Sequence, residues 1–200
     1  MTIAYLYPKE LTLYGENGNI KALKYELNKL NIKAKFIEID KEMELDFKKY
    51  DFVYLGSGRL TFLDDIRTRL LPYKEDILDY INKDKIFLVT GNALSIFDFL
   101  GLYEVEKYEN RIISDVTATT SLCPDNIYGF QNTEYLIKTT SSVIFNINEG
   151  YGNNKTFLEG YQKNNFYVTS LIGPILARNS KLNNYFINLL LTNIKEDAKK

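Results

Sequence analysis

The chain has 200 residues, 45% hydrophobic and 26% charged, with a formal net charge of −1. That is enough for one globular domain with its own core, and it offers no basic field for non-specific nucleic-acid binding. One cysteine and no histidine exclude an intrachain disulfide, multi-cysteine and histidine-ligated metal sites, and Ser-His-Asp or Cys-His catalysis from within this chain.

Ile3-Ala4-Tyr5-Leu6-Tyr7 predicts a first strand, ended by Pro8. It follows Met1-Thr2 directly, so no signal peptide is expected. A helix is predicted from Gly18, because Ile20, Leu23, Leu27 and Leu30 recur at helical spacing. Lys35–Ile39 and Asp51–Leu55 predict two more strands, the latter running into Gly56-Ser57-Gly58. One long helix is expected over about 62–81, kinked or broken at Pro72. Lys85–Thr90 predicts a fourth strand, which Gly91-Asn92 turns into a helical Ala93–Phe97. The second half reads as short strands at 111–119, 126–130, 135–138, 142–147 and 166–171, then a closing amphipathic helix over 183–194. Residues 1–194 are therefore expected to form one α/β domain, a mostly parallel central sheet flanked by helices with a β-richer second half. Residues 195–200 are expected to be a charged tail.

In such folds ligands bind beyond the carboxyl ends of the strands. The loops at 8–19, 56–59 and 90–93 are expected to gather there. The apolar runs are too short to span a bilayer. No Gly-rich phosphate loop follows a strand, so no nucleotide cofactor is expected. Asp64-Asp65 and Glu42-Met43-Glu44-Leu45-Asp46 read as solvated faces, so no metal site is expected. The abundance of Asn, Lys and Ile, at 20 each, gives single Asn and Lys residues little functional weight and suits an AT-rich bacterial genome. A cytoplasmic location is expected.

Three segments are more specific. They are Tyr7-Pro8-Lys9-Glu10-Leu11-Thr12-Leu13-Tyr14-Gly15-Glu16-Asn17-Gly18-Asn19-Ile20; Gly150-Tyr151-Gly152-Asn153-Asn154 with Glu159-Gly160; and Gly173-Pro174-Ile175-Leu176-Ala177-Arg178-Asn179. Each alone is compatible with ordinary turn chemistry. Together with Gly129-Phe130-Gln131-Asn132, and in this order, they resemble class I glutamine amidotransferases of the cobyric acid synthase-like branch. Within it the chain looks like the small glutaminase subunits that serve peptidoglycan-precursor amidation.

The resemblance implies a cysteine on a sharp strand–turn–helix elbow and a histidine before the Gly-Pro of the third segment. Here those positions hold Gly91 and Ile172. A one-residue shift would put Thr90 at the nucleophile position instead. Cys123, in Leu122-Cys123-Pro124-Asp125, lies far from any elbow pattern. The resemblance also implies an oxyanion-binding turn at Gly56-Ser57-Gly58, with Arg59 where the family commonly has Gln. Asn92 adjoins the elbow, and Arg111 matches an arginine that holds the carboxylate of glutamine. These are the expected remnants of a ligand site for a small carboxylate such as glutamine, with the amides of residues 56–58 still free to bind an anion. The expected function is a catalytically degenerate partner of a Mur ligase-like synthetase. The alternatives are an active, ammonia-supplying glutaminase subunit and an unrelated α/β ligand-binding domain.

Overall fold

The computed structural model describes residues 1–197. Its centre is a six-stranded sheet in the order β2-β1-β3-β4-β10-β9. The strands are β1 (Thr2–Leu6), β2 (Lys35–Ile39), β3 (Phe52–Leu55), β4 (Ile86–Thr90), β9 (Tyr161–Lys163) and β10 (Phe166–Thr169). Every pairing is parallel except β9 with β10. A second, antiparallel sheet follows the order β6-β5-β7-β8, with β5 (Val105–Thr119), β6 (Ile127–Ile137), β7 (Phe145–Glu149) and β8 (Leu158–Glu159).

Both faces of the sheet's inner strands β1, β3, β4 and β10 are buried, which is why those strands are apolar without alternation. Ala4, Leu6, Val53, Leu55, Phe87 and Val89 point to one core, against α2 (Leu60–Leu70) and α3 (Lys74–Asn82). Ile3, Tyr5, Phe52, Tyr54, Ile86 and Leu88 point to the other. There they meet α1 (Asn17–Lys29), the short α4 (Ile175–Arg178), α5 (Ser180–Asp197) and the inner face of the second sheet.

The break expected at Pro72 is present: the stretch over 62–81 is two helices, α2 and α3, joined by a 3-10 turn at Leu71–Tyr73 that contains Pro72. Proline lacks the N–H and crowds the preceding turn, so the break falls there. Several expectations are corrected. The strands expected at 126–130 and 135–138 are one strand, β6, because Gln131 and Thr133 alternate inward with Gly129 and Ile127 and keep the ladder running. The segment after Gly91 is a 3-10 helix, Gly91–Leu100, ended by Gly101 at φ +72. α5 runs through Asp197, so residues 195–197 of the expected tail are helical. Residues 198–200 lie outside the described residues.

Candidate functional site

The carboxyl ends of β1, β3, β4 and β10 carry four chain segments that meet: 7–16, 56–58, 90–92 and 170–174. Leu13 N donates to Ser57 O at 3.0 Å, tying the first to the second. The side chain of Asn92 ties the second to the third. Its Oδ1 accepts from Ser57 Oγ at 2.9 Å and from Gly58 N at 3.0 Å, and its Nδ2 donates to Gly58 O at 2.7 Å.

Gly91 follows β4 directly and has φ +64. Left-handed backbone is the geometry of a strand–turn–helix elbow and costs glycine nothing. A Cβ built on Gly91 would lie 2.5 Å from Ile172 Cγ2, 2.6 Å from Ser57 Cβ and 2.7 Å from Ser57 Oγ. The space a nucleophile's side chain would need at Gly91 is thus filled by Ile172 and Ser57. Ile172 is held by a two-way backbone bridge to Phe130 on the free edge of β6 (N to O 2.9 Å, O from N 3.2 Å). The segment 129–132 therefore positions the residue that faces Gly91.

The expectation of free amides is not met at Ser57 and Gly58. Gly58 N–H goes to Asn92 Oδ1, and Ser57 N–H goes to Glu16 Oε2 at 3.4 Å. Side-chain oxygens of this chain occupy both donors. Thr90, the alternative nucleophile position, is fully buried, and its hydroxyl donates to Glu16 Oε2.

Glu16 was not singled out by sequence, although it stands in the first segment between Gly15 and Asn17-Gly18. It is fully buried beneath the elbow. Burial raises its carboxyl from the ordinary 4.5 to about 7. Hydrogen bonds from Thr90, Tyr54 and the Ser57 amide lower it only in part. The Gly173 amide is near enough to be felt, but Oε1 makes no hydrogen bond.

A second buried network holds the segment 170–174. Glu159 accepts from Thr169 Oγ1 (2.8 Å), Ser170 N (2.7 Å) and Ser170 Oγ (2.8 Å). Burial pushes its carboxyl to about 7 as well. Gln131 Nε2 donates to Ser170 Oγ (2.9 Å) and Tyr151 O (2.6 Å), so the 129–132, 150–154 and 170–174 segments meet on it. Asn153 binds Gly160 through both N–H and C=O and also donates to Thr139 O. These residues serve architecture, in agreement with the turn reading of the second segment.

Arg59 and Arg111 stand apart from this junction. Arg59 is exposed at the start of α2 and makes no ion pair among the described residues. Arg111 lies in an irregular stretch of β5, where its guanidinium reaches Asn132 Oδ1 (3.1 Å) and Glu134 Oε1 (3.0 Å). It lines a separate cleft of about 430 Å³ with Tyr108, Tyr151 and Lys155. Cys123 is buried, and burial raises its thiol pKa. Among the described residues no group of three or more Cys, Asp or Glu is arranged to hold a metal, and no helix is long and apolar enough to cross a membrane.

A single α/β domain with a mostly parallel sheet and an elbow at the end of β4 has the fold of glutamine amidotransferases. A glutamine amidotransferase from Thermotoga maritima superposes with TM-score 0.61 at 12% identity, over 100% of this chain and 86% of that one. The glutaminase domain of Trypanosoma brucei CTPS, solved with bound acivicin, superposes with TM-score 0.56 at 8% identity, over 94% and 93%.

More particularly, the chain is similar to the GatD subunit of lipid II isoglutaminyl synthase (glutamine-hydrolyzing). It is 27% identical to the Streptococcus pneumoniae protein over 201 residues, covering 91% of this chain and 77% of that one. It is 29% identical to the Staphylococcus aureus protein over 211 residues, covering 94% and 83%. No family model matches the chain.

Proposed function

We propose that this chain is a GatD-like subunit that does not hydrolyse glutamine and acts as a binding or regulatory partner of a Mur ligase-like synthetase in cell-wall precursor amidation. The observation that carries the reading is the filled elbow: Ile172 and Ser57 occupy the space where a side chain on Gly91 would project. Thiol attack on an amide needs a nucleophile, a base to move protons and donors for the oxyanion. Gly91 has no side chain, Ile172 cannot accept or give a proton, and Asn92 and Glu16 occupy the amides of Gly58 and Ser57. Losing such a group from a catalytic set typically costs on the order of 10⁴–10⁶ in rate. The similarity to GatD over more than nine-tenths of the chain supports the cell-wall context.

The partner is identified by co-purification of the tagged chain from its native organism. Recovery of a Mur ligase-like synthetase supports the reading, and recovery of none argues against it. The second reading, an active glutaminase subunit, draws on the names of those relatives. It is separated from the first by a glutaminase assay of the purified chain with and without the synthetase.

A further inference from the structure

The junction beneath the elbow contains a ring of three buried oxygens. Tyr54 Oη lies 2.8 Å from Glu16 Oε2 and 2.9 Å from Thr90 Oγ1, and Thr90 Oγ1 is in turn bonded to Glu16 Oε2. All three residues are fully buried. Three mutual hydrogen bonds need three protons. Tyr54 and Thr90 supply one each. Two neighbours add donors from outside the ring and leave its count unchanged: Asn19 Nδ2 to Tyr54 Oη at 2.7 Å, and Ser57 N to Glu16 Oε2 at 3.4 Å. The third proton has one source, the Glu16 carboxyl: its O–H donates to Tyr54 Oη, Tyr54 donates to Thr90 Oγ1, and Thr90 donates back to Glu16 Oε2.

The surroundings favour the neutral acid for a second reason. The titratable groups that face Glu16 are phenols, Tyr54 from β3 and Tyr5 from β1. β4 presents Thr90, the 56–58 turn presents Ser57, and the segment after β10 presents the Gly173 amide. No lysine or arginine makes an ion pair with Glu16 among the described residues. A buried carboxylate without a cation is costly and tends to neutralise instead.

We propose that Glu16 keeps a proton in the folded chain and acts as a proton-sensitive latch on the elbow. Protonated, it closes the ring with Thr90 and Tyr54. Ionised, it leaves one edge of the ring without a proton and loosens the turn that begins at Gly91. The latch is a property of this junction, whether or not the chain binds a synthetase.

The test is a carboxyl titration of the ¹³C-labelled chain by NMR, with the Glu16 resonance assigned through its own side-chain carbons. The expected result is a Glu16 midpoint near 7 rather than 4.5. The amide resonances of Ser57, Gly91 and Asn92 should shift with that same midpoint. In Glu16→Gln those amide shifts should vanish, and in Glu159→Gln they should persist, which separates the two buried carboxyls. A Glu16 midpoint near 4.5, or amides at the elbow that ignore the Glu16 titration, overturns the proposal. The wild-type titration alone decides it if either variant fails to fold.

Discussion

Ile172 stands against Gly91, its Cγ2 2.5 Å from where a Cβ on that glycine would be. The two residues are 81 positions apart in sequence, and neither has a side chain that can do acid–base or nucleophilic chemistry. Their contact makes the elbow a packed junction.

Gly91→Ala tests that packing. The left-handed φ costs an L-residue about 1–3 kcal/mol, and forcing a methyl into a filled site adds about 1–3 kcal/mol. The variant should lose roughly 2–6 kcal/mol in urea unfolding. A loss below about 1 kcal/mol would mean that the space is open after all.

Asn92→Ala removes the clasp between the two turns. It leaves the buried Gly58 N–H and Ser57 hydroxyl without their acceptor. An orphaned buried donor costs about 1–3 kcal/mol. Denaturant midpoints should fall accordingly, with no change in slope.

Stability should depend on pH through two buried acids. Glu16 and Glu159 each have a folded pKa near 7 against about 4.5 when ordinary. Between those values the folded chain binds more protons than the unfolded one, so stability falls as pH rises. Their contribution is fully present below about 4.5 and lost by about pH 7, worth on the order of 3 kcal/mol each. Urea melts from pH 4.5 to 8 give the slope, and Glu159→Gln should flatten part of it. A flat profile in the parent would refute both assignments.

Arg111 should matter little. Its ion pair with Glu134 is partly exposed at both ends, and such pairs are worth about 0–1 kcal/mol. A ligand carboxylate would have to displace Glu134 from it. Calorimetry with glutamine or glutamate at millimolar concentration should give no heat, and Arg111→Ala should not alter that result. Measurable heat abolished by Arg111→Ala would restore Arg111 as a ligand residue.

The parallel half was the readable half. β4 runs over Ile86–Thr90, within one residue of its expected start, because a continuous apolar run between turn residues leaves few alternatives. The meeting of the 56–58 and 90–92 turns followed from topology alone. The start of β5 was missed because Glu104 to Arg111 is polar and irregular, and it pairs only through a break in register between Lys107 and Ile112. β8 and β9, of two and three residues, carry too short a pattern to read. The occupied amides could not be foreseen. They depend on Glu16 and Asn92 reaching across 41 and 34 positions of sequence, which only the fold brings together.

Restoring chemistry takes more than two residues. Gly91→Cys with Ile172→His replaces nucleophile and base, but Ser57 still crowds the new Cβ. Adding Ser57→Gly removes that contact. Glutaminase activity should be absent in each single variant, because nucleophile and base act as a unit. Any trace of activity should be greater in the triple variant than in the double.

The most direct measurement is the rate of glutamate release from glutamine by the unmodified chain, alone and with a co-purified synthetase. The expected rate equals the blank without this chain, and Cys123→Ala leaves it unchanged. A rate well above the blank that tracks the chain, above all one abolished by Cys123→Ala, would contradict the loss of catalysis and mean that the nucleophile lies elsewhere than at Gly91.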